Sequence, residues 1–475
     1  MGSMIPEKRM TRDQIFKLGL EDFGDLLNTV LSPANAIKVP DLLQGRDKQL
    51  LELRQALTAR GRHVFIHGFR GVGKTSLGYT AANIIQSSDN KPLYVQCSPD
   101  GTLLQLIYDV LKQAMPSNPL EVKKMVEKSG SGSLGLGKFS ISAGLRQSVE
   151  EGRIPKPESI NDAVELICFV MERHSKRPVL IIDEFDYLPH SEHINVDLFI
   201  KKLAEVDDLP LKLIICGVGE TLESLFSAHL STYRYFHTIK LDRLDLDSCY
   251  AIIQKAAEAL DVTLDETTMW RISRISDGFP HFVHLICEKV FWSMYNDEQR
   301  NWLALGQIKL SHYRQGAQAA VTAANEELRK GYEAAVRNTS PSAEVILYAA
   351  ADGHELHRTP VDMYNSYLRI VSDNLKLAEP PKKGNEKPFV LSEAQFRGRM
   401  YYLCRENFGR ILKTNGKGWY EFSEKMMRGY ARLKAEARGV ELYPDHPLEK
   451  KNMPALQTTH GLVEFLVTNQ AEDKR

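Results

Sequence analysis

HVFIHGFRGVGKTS (63–76) is the stretch on which the fold turns. It opens as a short apolar run with β-branched and aromatic residues. It then passes through Gly68-x-x-x-x-Gly73-Lys74-Thr75 and continues as SLGYTAANII, a helix-like run. A glycine-rich turn between a strand and a helix is the context this spacing needs. Gly68, Gly71 and Gly73 free the main chain to turn its N–H groups toward phosphate oxygens, and the start of the following helix directs partial positive charge to the same place. Lys74 is then positioned to bridge the β and γ phosphates, and the Thr75 hydroxyl, beside Ser76, to coordinate Mg²⁺. The agreement of motif and flanks argues against an accidental Lys-Thr after a glycine turn.

A second stretch completes the first. PVLIIDEFDYL (178–188) carries four apolar residues into Asp183 and Glu184. A carboxylate at the tip of a buried strand beside a phosphate loop holds Mg²⁺, directly or through Thr75, and the next carboxylate can act as general base toward an attacking water. Around these two lie further strand-like runs, PLYVQCS (92–98), LKLIICGVG (211–219) and HTIKLDRL (237–244), separated by helical stretches. Strands alternating with helices predict a parallel sheet covered on both faces.

These residues resemble those of the AAA+ and STAND ATPases. The resemblance implies an ASCE P-loop NTPase of α/β class, with the 211–219 strand inserted between the phosphate-loop strand and the Asp183 strand, giving sheet order 5-1-4-3-2. QGRDKQLLEL (44–53) is similar to the segment that lies near adenine in origin-recognition-type initiators and STAND proteins, which makes Gly45 and Arg46 candidate nucleotide contacts. AHLSTYRYFHTIKLDRL (228–244) is similar to the segment holding an arginine finger, with Arg234 as candidate; such an arginine serves the γ-phosphate of a neighbouring subunit. SDGFPHFVHLICEKVF (276–291) resembles the Gly-x-Pro stretch of the STAND helical lid and makes Pro280 a nucleotide contact. Two positions depart from the pattern. After LIICG (213–217) a polar sensor is expected, and Glu220 or Thr221 is the nearest. In the lid, Pro280-His281 stands where an arginine sensor is expected, with His284 as the nearest alternative. Slow hydrolysis, with ATP acting as a switch, is the expectation.

Farther along, FRGRMYYLCRENFGRILKTNGKGWYEFSEKMMRGYARLKAEAR (396–438) reads as helix, turn, strand, wing, strand, helix, with Asn415-Gly416 at the hairpin turn. It resembles the winged-helix domain of origin-recognition initiators and archaeal STAND ATPases. Eleven Lys or Arg stand against four Asp or Glu in this segment. Arg397, Arg399, Arg405, Arg410, Lys413 and Lys417 are the expected double-stranded DNA contacts, and salt-sensitive binding follows from neutralising phosphates. Trp419 and Tyr420 are expected in the hairpin core.

The domain reading is a helical arm over 4–40, an ATPase domain over 41–244 with a projecting hairpin or flexible loop at 128–157, a helical lid over 245–335, a winged-helix-like domain over 341–440 and a tail over 441–475. Whole-chain charge is balanced, with 61 Lys or Arg and 61 Asp or Glu, so it says nothing about nucleic acid. Six separated cysteines give no metal or redox pair and fit a reducing compartment, the cytoplasm. No run of about 18 apolar residues predicts a membrane span. Two function classes follow: an ATP-switched, DNA-associated homo-oligomer similar to initiators or transposition regulators, or a STAND signalling or defence ATPase opened by a protein. A separate effector protein is expected, since no nuclease, protease or TIR-like motif is apparent. A metabolic P-loop kinase leaves the C-terminal region unexplained.

Overall fold

The computed structural model describes residues 10–86, 90–115, 154–206, 209, 211–218, 234–297, 306–337, 342–377, 390–416 and 418–442. The insertion expected over 128–157 lies outside these but for its last four residues, and the tail expected over 441–475 but for its first two. Two compact units divide the chain, Ala34–Leu244 and a second made of Met1–Pro33 with Asp245–Arg475. The N-terminal arm is helical in two short pieces, α1 (Arg12–Phe16) and α2 (Leu20–Asn28), because the chain turns at Lys17 and restarts from Gly19 as the cap of α2.

The Ala34–Leu244 unit holds α3 (Asp47–Thr58), β1 (His63–Gly68), α4 (Lys74–Ile85), β2 (Leu93–Gln96), α5 (Leu103–Ala114), α6 (Ile160–His174), β3 (Val179–Asp183), α7 (His190–Ala204), β4 (Lys212–Gly217) and β5 (Phe236–Leu241). The strands form one sheet in the order β2-β3-β4-β1-β5, parallel throughout. That is the expected 5-1-4-3-2 order. Burial explains the composition. Val64, Phe65 and Ile66 of β1, like Val179 to Ile181 of β3, are shielded on both faces, so their residues are apolar without alternation. One face packs Phe65, Leu93, Ile182 and Ile215 against Ile107, Ile167 and Phe199 of α5, α6 and α7; α4 packs on β1, β3 and β4, and α3 on β1 and β5. Because β4 lies between β1 and β3, the loops leaving those two strands face each other across its C-terminal end.

In the other unit, α8 (Leu246–Ala259), α9 (Glu266–Ser276), α10 (Pro280–Tyr295), α11 (Leu310–Ala323) and α12 (Glu326–Arg337) precede α13 (Ser342–Ala351), α14 (Pro360–Asp373), α15 (Glu393–Tyr402), an antiparallel hairpin of β6 (Leu412–Thr414) and β7 (Tyr420–Phe422), and α16 (Lys425–Ala437). Arg358 adds a third short edge, exchanging two main-chain hydrogen bonds of 2.8 Å with Tyr420. The N-terminal arm belongs here: Phe23 stacks on Tyr295 and meets Trp292 edge-on, both on α10.

Helix α16 is fastened to the α9–α10 turn by charge. Arg428 and Arg432 each place a guanidinium nitrogen 3.3 Å from Asp277, and all three are buried. Arg432 also donates to the carbonyls of Ala351, Arg274 and Gly353, at 2.8, 2.8 and 2.5 Å. One turn on, Glu436 accepts from Arg271 at 2.9 Å. Between these charges Gly429 lets the helix close on α10, since a Cβ there would lie 2.7 Å from Phe282. Positions 428, 429, 432 and 436 share one helical face. Truncating Arg432 would leave the buried Asp277 carboxylate with Arg428 alone and would take a buried donor from three carbonyls. Arg432→Ala is therefore expected to lower the unfolding free energy of this unit by about 3–5 kcal/mol in denaturant titrations, and a loss under about 1 kcal/mol would show that the cluster does not hold α16.

Candidate functional site

The phosphate loop joins β1 to α4. Gly68, Gly71 and Gly73 all have positive φ (150°, 80° and 95°), a region where a side chain is strained. Gly68 has a further reason to be glycine, because a Cβ would meet the Leu241 carbonyl oxygen at 2.2 Å. The Lys74 ammonium bends back into the loop, 3.0 Å from the Gly68 carbonyl and 2.9 Å from that of Phe69. A cation inside a ring of main chain at a helix start fits a polyphosphate.

The acidic pair stands opposite. Thr75 Oγ1 donates to Asp183 Oδ2 at 2.6 Å, and the Glu184 N–H donates to Asp183 Oδ1 at 2.9 Å. Glu184 itself is left-handed, with φ 51°, which swings the chain away just past the strand tip. A hydroxyl and a carboxylate at this spacing are hard oxygen donors of the kind Mg²⁺ takes together with phosphate oxygens. The residues present therefore fit the ion.

Two contributors were not legible from sequence. Tyr94 and Gln96 leave the same face of β2, two residues apart, and Gln96 sits opposite Asp183 in the β2–β3 register. Tyr94 Oη donates to Asp183 Oδ2 at 3.1 Å, and the Gln96 amide donates to Glu184 Oε2. One short strand thus supplies a donor to each acid. Burial, and after it the Asp183 charge, push the Tyr94 hydroxyl up, so it keeps its proton. Tyr79 stacks on Tyr94, with centroids 5.1 Å apart. Only the nearness of β2 to the acidic strand, itself a consequence of sheet order, could have pointed to these residues.

Arg46 is buried and donates to the carbonyls of Val72 at 3.0 Å and Asp242 at 2.6 Å, so it braces the phosphate loop against the end of β5. Gly45, before it, has φ 69°. Ser76 Oγ accepts from the Ile37 N–H at 3.0 Å and ties the 34–39 segment to α4. Arg234 is exposed at the entry to the edge strand β5, with its guanidinium 4.9 Å from the Tyr235 ring. Glu220 and Thr221 lie outside the described residues; Val218, just before, is held by its N–H to Asp186 at 2.8 Å. Pro280 is the first residue of α10, after Gly278 with φ 73°. His284 cannot replace a cationic sensor near neutral pH: burial, and then His281, pull its imidazole down to about 4.

The basic C-terminal residues are mostly engaged within the fold. Arg399 turns inward and donates to Ser342 Oγ. Arg397 pairs with Glu393 at 2.6 Å, Arg410 with Glu406 at 3.7 Å and Lys413 with Glu421 at 3.0 Å. Lys417 lies outside the described residues. Arg428 and Arg432, which swell the local charge count, are buried against Asp277. The exposed basic surface is smaller than the composition suggests. Trp419, expected in the hairpin core, is 42% exposed, because it stands in the turn before β7 and not within the strand.

Residues 58–226 match the family described as AAA domain. No curated protein matches the chain. Among solved structures, a Walker-type ATPase of Pyrococcus abyssi is similar at 14% identity over 84% of this chain and 99% of its own, with TM-score 0.48. The Aeropyrum pernix ORC2 protein, in ADPNP-ADP complexes, is similar at 14% identity over 86% and 97%, with TM-score 0.43. The Thermotoga maritima RuvB Holliday junction branch migration motor is similar at 15% identity over 85% and 98%, with TM-score 0.36.

The Tyr94 contact has a measurable consequence. A hydrogen bond to a charged acceptor contributes about 1.5–3 kcal/mol, and Tyr94 orients the oxygen that Thr75 shares. Tyr94→Phe is expected to keep nucleotide affinity measured without Mg²⁺ and to reduce the gain on adding Mg²⁺ by about tenfold or more, read by fluorescent-nucleotide titration. An unchanged Mg²⁺ gain would remove Tyr94 from the site.

Proposed function

We propose that this AAA-type P-loop ATPase binds ATP with Mg²⁺ and hydrolyses it slowly, as a nucleotide-dependent switch whose C-terminal region engages DNA. The observation that carries the nucleotide reading is the 2.6 Å contact between Thr75 and Asp183, with the Lys74 ammonium inside the same loop. In this reading Lys74 leaves its two carbonyls for the β and γ phosphates. Thr75 and Asp183 would hold Mg²⁺, which when bound would offset the negative charge on the phosphate oxygens. Glu184 takes a proton from the attacking water once it turns from Gln96. Arg234 serves the γ-phosphate of a neighbouring copy, which makes turnover depend on assembly, in the cytoplasm as elsewhere.

The output is supported by two features. The α13–α14–α15–hairpin order, with the extra edge at Arg358, supports a winged-helix reading of this region. The buried Asp277–Arg428–Arg432 cluster joins α16, next to that hairpin, to the turn carrying Gly278 and Pro280. A lid turn that responds to nucleotide would carry α16 with it.

The second reading, a STAND signalling ATPase opened by a protein and acting on a separate effector, is favoured by the carboxylate partners of Arg397, Arg410 and Lys413. It predicts protein purified as a monomer with ADP bound, which mass analysis of the denatured sample identifies.

For the chemistry, Lys74→Ala is expected to abolish measurable nucleotide binding, and Glu184→Gln to keep binding while turnover falls by about 10²–10⁴-fold. Equilibrium nucleotide titration and phosphate-release assays check both. Full affinity in the Lys74 variant would end the nucleotide reading, and normal turnover in the Glu184 variant would end its role as base.

A further inference from the structure

The helix before the C-terminal hairpin exposes more ring surface than its fold requires. Tyr401 and Tyr402, at the end of α15, are 54% and 45% exposed. The Arg405 guanidinium lies over both rings, 4.9 and 5.1 Å from their centroids. Arg397 and Arg410 on either side each reach a glutamate; Arg405 is exposed, and among the described residues no carboxylate pairs with it. An uncompensated guanidinium layered on two rings presents donors to an anion and flat faces to another planar group at once.

Gly398 adds an independent observation. It stands inside α15, and a Cβ built on it would meet nothing within 4 Å. Glycine in a helix interior costs about 1 kcal/mol relative to alanine, and neither close packing nor a left-handed backbone explains it here. It lies three and four residues before Tyr401 and Tyr402, hence on their face. A bare helix surface beside exposed rings suits close approach by the main chain of a partner.

Resting on the reading that the C-terminal region engages DNA, we propose that the α15 face formed by Gly398, Tyr401, Tyr402 and Arg405 binds unpaired nucleobases of a single strand. Bases stack on the tyrosine rings, Arg405 takes the adjoining phosphate, and the strand runs over Gly398. The rings decide against an intact duplex, whose base faces are covered by their neighbours, whereas unstacked bases offer faces to aromatic and guanidinium planes. The modest exposed charge points the same way, toward binding carried by stacking more than by phosphate neutralisation. The exposed ion pairs nearby are weak enough to open toward phosphate, since such pairs contribute about 0–1 kcal/mol.

The test uses the full chain with a non-hydrolysable ATP analogue, and fluorescence anisotropy with a labelled oligothymidylate of about 20 nucleotides, a length that spans a few stacking sites, beside a blunt duplex of the same length. The wild type is expected to prefer the single strand. Tyr401→Ala and Tyr402→Ala should each weaken it by about 5- to 100-fold, as loss of one base–aromatic stack does, and Tyr402→Phe should restore it. Gly398→Leu should weaken it as well while the unfolding temperature stays level or rises, because leucine favours the helix; that separates a blocked surface from a misfolded one. Equal affinity for both probes, with the tyrosine and Gly398 variants unaffected, would overturn the stacking site and leave the DNA reading standing. No binding of either probe by the wild type would overturn both.

Discussion

Everything at the candidate site depends on one contact between groups 108 residues apart, the Thr75 hydroxyl on the Asp183 carboxylate. Neither residue alone makes a site. The hydroxyl starts a helix and the carboxylate ends a strand, and β4 lies between their two strands. The contact exists because a parallel sheet sends the C-terminal ends of all its strands to one edge, so loops from non-adjacent strands can meet there. The apolar runs of β1, β3 and β4 are thus the structural condition for the chemistry: strands buried on both faces fix the two loops to within hydrogen-bond distance.

Around that contact the sheet recruits groups with no motif of their own. Tyr94 and Gln96 belong to a four-residue strand whose sequence, Leu-Tyr-Val-Gln, suggests only alternation. Their reach to Asp183 and Glu184 comes from β2 being the neighbour of β3. Arg46 is similar. Its Gly-Arg-Asp setting suggests a nucleotide contact, yet the guanidinium sits on two main-chain carbonyls, one of them in the phosphate loop. A planar fork with five donors is suited to bridging segments in this way, and here it holds the loop in shape.

The phosphate loop and the acidic pair were legible because each is a local pattern in a strand-end setting, whereas the strand order came only from the family resemblance. The C-terminal region was less so, because charge in a sequence does not say which way a side chain points. Of the cations counted there, Arg428 and Arg432 lie in the interior, Arg399 turns to Ser342, and Arg397, Arg410 and Lys413 meet carboxylates. Spacing supplies the missing signal in hindsight. Arg428, Gly429, Arg432 and Glu436 repeat at helical intervals along one face, and a helix that places glycine between arginines on one side is packed there. Trp419 departs from expectation for a related reason: an aromatic beside a tight turn is hairpin core only if the sheet is broad enough to cover it, and β6 and β7 have three residues each.

The interior charges raise the question of why the α9–α10 turn should be fastened by ions. Replacing a buried ion cluster with apolar residues is often neutral or stabilising, so stability alone does not account for it. Asp277 answers part of this. It adopts φ 54°, followed by Gly278 at φ 73°, so two successive residues are left-handed where α9 ends. A glycine at 277 would relieve the strain, yet the position holds an aspartate, whose carboxylate lies between Arg428 and Arg432. Strain of order 1 kcal/mol is tolerated here in exchange for a directional contact. Apolar packing would let the turn slide on α16, since dispersion contacts depend little on direction. Two guanidinium groups on one carboxylate fix both the angle and the register of the turn on α16.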